Sequence, residues 1–340
     1  MERIYSIDFI KFFAILAVVV LHIFPLDGFT GYFIIDNIAR FAVPFFFAAS
    51  GYFFAQKMIQ KNASFIYLKS YVIKLMKIYF VWLIFYTIYD VLFVFLKGNE
   101  VQESLIKYFD KFTLLNLLYY GKGTSGYQLW FLTALIWSTV IIYVFFRMKK
   151  INLLFAISIV LNLLGLLGQA YTMFFDLPVS TTRDALFFGL FYTTLGVSFA
   201  VNKHFNKLRK ISGITYLGLA IICSLIQVME GYLLDKVLDG SHGEYFFSTI
   251  LVTAFLFFFA LNNKKIGKGL WITKVGGNAL GIYIIHVFFL DLINNALKYL
   301  DVKQLLTENF IWNVFYTIFI FIISYYTYHF LQQMKSEIKE

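Results

Sequence analysis

Ten apolar segments follow one another along the chain, each about 18 to 26 residues long, and they leave it one architecture. They lie near 7–25, 32–56, 71–96, 128–147, 152–171, 185–202, 212–231, 245–262, 277–296 and 309–333. Each is long enough to cross roughly 30 Å of hydrocarbon as a helix with some tilt. The expected fold is therefore all-α: a polytopic membrane protein of about ten transmembrane helices, forming a single membrane domain over residues 1–340 with a short basic tail at 334–340. Composition excludes the soluble alternative, since 60% of the residues are hydrophobic and 14% charged, whereas an ordinary soluble domain carries charge on about a quarter of its residues. No separate soluble domain of useful size is left over.

The net charge of +10 would suit a nucleic-acid partner only if it were gathered into a binding face. Instead it follows the loops. With ten spans both termini share a side, and the loops and ends on that side hold nineteen of the 29 Lys and Arg residues, against eight on the other. The positive-inside rule makes both termini cytoplasmic, and nothing remains to support nucleic-acid binding. Arg3 opens the first span, but Pro25-Leu26-Asp27 offers no small-residue cleavage site and Lys11 interrupts the apolar run, so a cleaved signal peptide is not expected. Cys223 is the one cysteine and can form no internal disulfide.

Within this apolar frame a few polar side chains stand out. The first span reads IDFIKFFAILAVVVLHIFP. Lys11 and His22 are eleven residues apart, which returns to the same helix face after three turns, about 16 Å along the axis. Asp8 lies one turn before Lys11. An acid, a cation and an imidazole thus share a stripe with Ile15, Val18 and Val19 between them, and such a stripe must face protein or water. In the second span Arg40 needs a carboxylate, an anion or water nearby. Asp36 stands four residues before it on the same face, and the tight turn after the first span brings Arg40 back toward the depth of His22. Pro44 removes a backbone hydrogen bond at Arg40, and Ser50-Gly51 permits close approach of another backbone.

Further along, Lys69, Lys74 and Lys77 read either as interfacial lysines or as an electropositive mouth for a phosphate-rich donor. The polar interruption from Lys97 to Tyr127 contains a helix-patterned stretch expected to lie on the membrane surface. Gln128 and Trp130 fall near the outer surface, where Trp130 is an interface anchor or a stacking platform for a sugar ring. The ninth span places Asn278, Tyr283 and His286 after a flexible Gly276-Gly277. His204, His242 and His329 are weaker candidates in loops or at a helix end. No zinc-like spacing, phosphate loop or nucleophile elbow is present, so no metal site is expected.

These blocks resemble the integral-membrane acyltransferase family 3, whose first helix carries Asp-x-x-(Arg/Lys)-x10-His, matched by Asp8, Lys11 and His22. RFAVPFFFAASGY is similar to that family's Arg-x-x-x-Pro-x-Phe-Phe-x-x-Ser-Gly block through Arg40, Pro44, Phe46, Phe47, Ser50 and Gly51. KLMKIYFVW, LWFLTALI and GGNALGIYIIHVFF match later segments, in order and across most of the chain. Two positions depart: Lys11 stands where arginine is commoner, and Ala279 replaces the usual serine. The resemblance implies transfer of an acyl group, usually acetyl, from cytosolic acyl-coenzyme A to a carbohydrate hydroxyl at the outer face. His22 would be general base or acyl relay, Lys11 would hold a donor phosphate or the thioester carbonyl with Asp8 fixing it, and Arg40 would steady the oxyanion or acceptor. Lys74, Lys77, Ser50, Gln128, Trp130, Tyr283 and His286 are the expected binding residues. Acetyl-coenzyme A or another acyl-coenzyme A, a carbohydrate or glycolipid acceptor, the lipid bilayer and polysaccharide-biosynthesis proteins are the expected partners, in a bacterial plasma membrane. A transporter of a polysaccharide or lipid-linked precursor is the alternative, since buried ionisable residues also mark transport pathways.

Overall fold

A computed structural model describes residues 3–25, 30–98, 100–175, 177, 179, 181–202, 205 and 210–337. Among them the chain is helical, with no strand. Ten apolar helices carry the architecture. In chain order α1 is Tyr5–Ile23, α2 Phe33–Gln60, α3 Phe65–Lys97, α4 Tyr127–Arg147, α5 Ile151–Leu166, α6 Ala185–Val201, α7 Gly213–Val237, α8 Phe247–Asn262, α9 Ala279–Tyr299 and α10 Phe310–Glu337. Seven are long and apolar enough to cross a membrane; α5, α6 and α8 are shorter. A helix of 16 residues, the length of α5 and of α8, extends about 24 Å, less than the hydrocarbon thickness. α10 runs on through Glu337, so the first residues of the expected tail are helical.

α2 is interrupted where proline requires it. A wide turn at Thr30–Ile35 leads into Asp36–Ala39, the chain turns at Arg40 and Phe41, and regular helix resumes at Ala42. Pro44 has no N–H to give the Arg40 carbonyl, so the regular helix cannot continue back through this point. The tight turn expected before α2 lies partly in residues 26–29, outside the described residues, as does His204.

The chain packs as two compact units, one of residues 1–46, 169–174 and 206–340 and the other of 47–168 and 175–205. In the first, α1 is pinned at its start: Tyr5 donates its backbone N–H to Lys264 O at 2.9 Å, and Ser6 Oγ donates to Ala260 O at 2.6 Å. Gly276 lies in the helix Trp271–Gly277, and a Cβ there would stand 1.9 Å from the Asp8 carbonyl oxygen. The expected flexible Gly276-Gly277 start is thus a backbone-to-backbone packing point at Gly276, because only glycine permits this approach.

The second unit holds a reciprocal glycine contact between α2 and α6. A Cβ on Gly51 would lie 2.0 Å from Thr193 O, and one on Gly196 would lie 1.9 Å from Ala48 O. This is the close approach expected at Ser50-Gly51. The polar segment between α3 and α4 forms the helix Val101–Phe109, with no buried residue, as its apolar spacing predicts. It is tied to α3, since Asp90 Oδ2 accepts from Tyr108 Oη at 2.9 Å and from Ser125 N at 2.8 Å.

Candidate active site

Three polar groupings lie in the first unit. At the start of α1, Asp8 occupies the first turn, where unpaired N–H groups and the helix dipole favour an anion. Its Oδ2 accepts from Arg3 Nε at 3.2 Å and Arg3 Nη2 at 2.9 Å, while Lys11 Nζ stands 3.7 Å from Oδ1. The closer partner of Asp8 is therefore Arg3 and not Lys11, because a guanidinium can reach back along the extended residues before the helix. Lys11 and Asp8 are each about four-fifths shielded, with side chains 20% and 15% exposed.

The opposite end of α1 carries His22, which is exposed. Its ring lies 5.5 Å, centroid to centroid, from that of His286 with 24° between the planes. His286 is completely buried on α9. Its Nδ1 stands 3.2 Å from Ile282 O, one turn back, which makes Nδ1 the protonated nitrogen and leaves a lone pair on Nε2. Nε2 is buried and has no hydrogen-bond partner among the described residues. Tyr283, also buried, lies 5.9 Å from the His286 ring and 6.4 Å from Phe46. The two histidines and Tyr283 are thus brought together as sequence order alone does not reveal.

The third grouping is centred on Asp36. Arg40 grips the carboxylate in a fork, Nε to Oδ2 at 3.0 Å and Nη2 to Oδ1 at 2.7 Å, and His242 Nε2 stands 3.1 Å from Oδ2. Asp36 is 2% exposed, and a buried carboxylate is tolerated only when paired and hydrogen-bonded like this. The i to i+4 pairing is the one the spacing predicts. His242, a weak candidate by sequence, is its third member; no local signal joins residues 206 positions apart, although the loop DGSHGEY between two apolar helices marks a place where a polar side chain can turn inward.

In the second unit the expected binding residues divide. Lys74 and Lys77 are exposed on α3. Ser50 is half-buried. Gln128 is buried and donates Nε2 to Tyr86 Oη at 2.8 Å, so it is part of the packing between α3 and α4 instead of lying at the surface. Trp130 is also buried, with the Arg183 guanidinium 5.0 Å from its ring centroid and Phe188 at 5.6 Å. Its ring is packed within the protein and not presented at a surface. Asp184, which sequence analysis passed over, accepts from Phe187 N at 2.9 Å at the start of α6 and from Tyr119 Oη at 2.9 Å. An aspartate just before an apolar run is an N-cap signal that could have located it. Among the described residues no three His, Cys, Asp or Glu side chains are grouped to hold a metal ion.

Long apolar helices with ionisable side chains held among them define a multi-pass membrane protein. The family profile described as Acyltransferase domain matches residues 4–329, and the chain belongs to acyltransferase family 3. Two curated proteins of Enterococcus faecalis, each named Amino-acid racemase, are similar to it. One is 25% identical over 334 residues, which is 91% of this chain and 44% of that protein. The other is 28% identical over 224 residues, 61% of this chain and 30% of that protein. The chain therefore spans less than half the length of these relatives. No solved structure matches it.

Proposed function

We propose that the protein is a membrane O-acetyltransferase, carrying an acetyl group from cytosolic acetyl-coenzyme A to a hydroxyl of a carbohydrate or glycolipid at the outer face of a bacterial plasma membrane. Family membership supports acyl transfer. The observation that carries the reading to residues is α1 itself: a cation–carboxylate set, Arg3, Asp8 and Lys11, at one end and an exposed imidazole, His22, at the other. In this reading all ten helices cross and both termini are cytoplasmic. The excess of Lys and Arg on the terminus side supports it.

The cationic end suits the donor's phosphates and the imidazole suits proton transfer. His22 removes the acceptor O–H proton as that oxygen bonds to the thioester carbonyl carbon; the C–S bond breaks and the departing thiolate takes the proton from His22. Arg40, oriented by Asp36, steadies the acceptor or the developing oxyanion. Lys74 and Lys77 add positive charge along the donor's approach. Proteins of polysaccharide biosynthesis would deliver the acceptor.

Calorimetry on the purified protein tests this. Acetyl-coenzyme A should bind in the micromolar range, weaken about tenfold or more in Lys11→Ala, and still bind His22→Ala, which should transfer nothing. A folded protein that binds neither acetyl- nor succinyl-coenzyme A would instead favour a transporter.

A further inference from the structure

The His286 imidazole is built for a partner that the resting arrangement withholds. Its Nδ1 is committed to Ile282 O, it is wholly buried, and Nε2 therefore carries a lone pair with no donor. Leaving a buried acceptor unmade costs about 1–3 kcal/mol, and a donor that reached Nε2 would recover that cost. The His22 ring lies 5.5 Å away, centroid to centroid, with 24° between the planes. Two imidazoles joined edge to edge by an N–H···N bond of about 2.9 Å have centroids about 5 Å apart, and their planes can stay nearly parallel. The 5.5 Å separation of the His22 and His286 ring centres is close to that distance.

We propose that His286 Nε2 is the hydrogen-bond acceptor for His22 once His22 has taken the acceptor's proton. The inference rests on the acyltransferase reading given above. An imidazolium has an N–H on each nitrogen. One keeps the proton that must pass to the departing thiolate, and the other can donate to the buried Nε2 of His286. A carboxylate commonly fills that place beside a catalytic histidine; here a neutral imidazole does. His286 holds and orients His22 and does not touch the substrate, which makes it a positioning residue.

The test compares His286→Phe, which keeps a flat ring but removes the lone pair, with His286→Gln, whose amide oxygen can replace it. The probe is acetyl-coenzyme A, with release of the free thiol followed in protein reconstituted with a bacterial membrane extract that supplies glycan acceptors. His286→Phe should lower kcat about 100-fold with KM for acetyl-coenzyme A unchanged, and His286→Gln should recover most of the loss. Wild-type turnover in His286→Phe would overturn the proposal alone. Equal losses in both variants would reduce His286 to packing and overturn it as well. Wild-type protein that releases no thiol would overturn the acyltransferase reading and this proposal with it.

Discussion

Arg40 holds Asp36 through two hydrogen bonds, Nη2 to Oδ1 at 2.7 Å and Nε to Oδ2 at 3.0 Å, beside the break in α2. Removing one member strands the other. Asp36→Asn should destabilise the protein by about 3–5 kcal/mol, the cost of an uncompensated buried charge. The double variant Asp36→Asn with Arg40→Gln should recover a large part of that, read as melting temperature in detergent. A double variant no better than the single one would show that the fork is not what stabilises the turn.

The two cations near Asp8 should separate in their effects. Lys11→Ala should weaken acetyl-coenzyme A binding directly, whereas Arg3→Ala should act mainly by freeing Asp8 to close on Lys11 from its 3.7 Å separation. Arg3→Ala should therefore weaken binding less than Lys11→Ala does, and an order reversed in calorimetry would make Arg3 the donor contact.

Gly51 and Gly196 should tolerate no Cβ. Either alanine variant would put a methyl group within 2.0 Å of a carbonyl oxygen on the opposite helix, an overpacking of about 3 kcal/mol. Folded yield after detergent extraction should fall sharply for Gly51→Ala and for Gly196→Ala. Gly218→Ala, whose Cβ would meet nothing within 4 Å, should be recovered like wild type.

Burial is the main influence on Asp184 and pushes its carboxyl above the ordinary aspartate value, although the Phe187 N–H and the Tyr119 hydroxyl pull the other way. A carboxyl raised in the folded state disfavours folding once it is ionised, so its penalty is absent at pH below 3.8 and grows as pH rises through the folded value. Asp184→Asn keeps an oxygen for the Phe187 N–H and removes the charge. The variant should gain stability over wild type between mildly acidic pH and pH 8, with no gain near pH 3. A melting-temperature difference independent of pH would refute this account.

Much of the frame was legible because it depends on short-range rules. Apolar length located ten apolar helices, seven of them long enough to cross a membrane; Pro44 marked the turn at Arg40, Gly51 marked a close approach, and four-residue spacing paired Asp36 with Arg40. The site was less legible because its partners are distant along the chain. Nothing near His22 points to His286, 264 positions on, and nothing near Asp36 points to His242. Trp130 and Gln128 show a different limit: position near a span's end does not say whether a side chain turns toward lipid, water or core, and here both turn inward. Arg3 was passed over as Asp8's partner because it precedes the helix, where helical spacing rules do not apply.

The length of α3 has a mechanical consequence. Its 33 residues extend about 50 Å, while hydrocarbon occupies about 30 Å. About 20 residues fill that thickness, so the helix is about 20 Å longer than a perpendicular crossing needs, and Lys69, Lys74 and Lys77 all stand near its first end. A helix with that much length to spare can meet a thicker or thinner membrane by sliding or tilting, with the lysines acting as a float that favours water at their end.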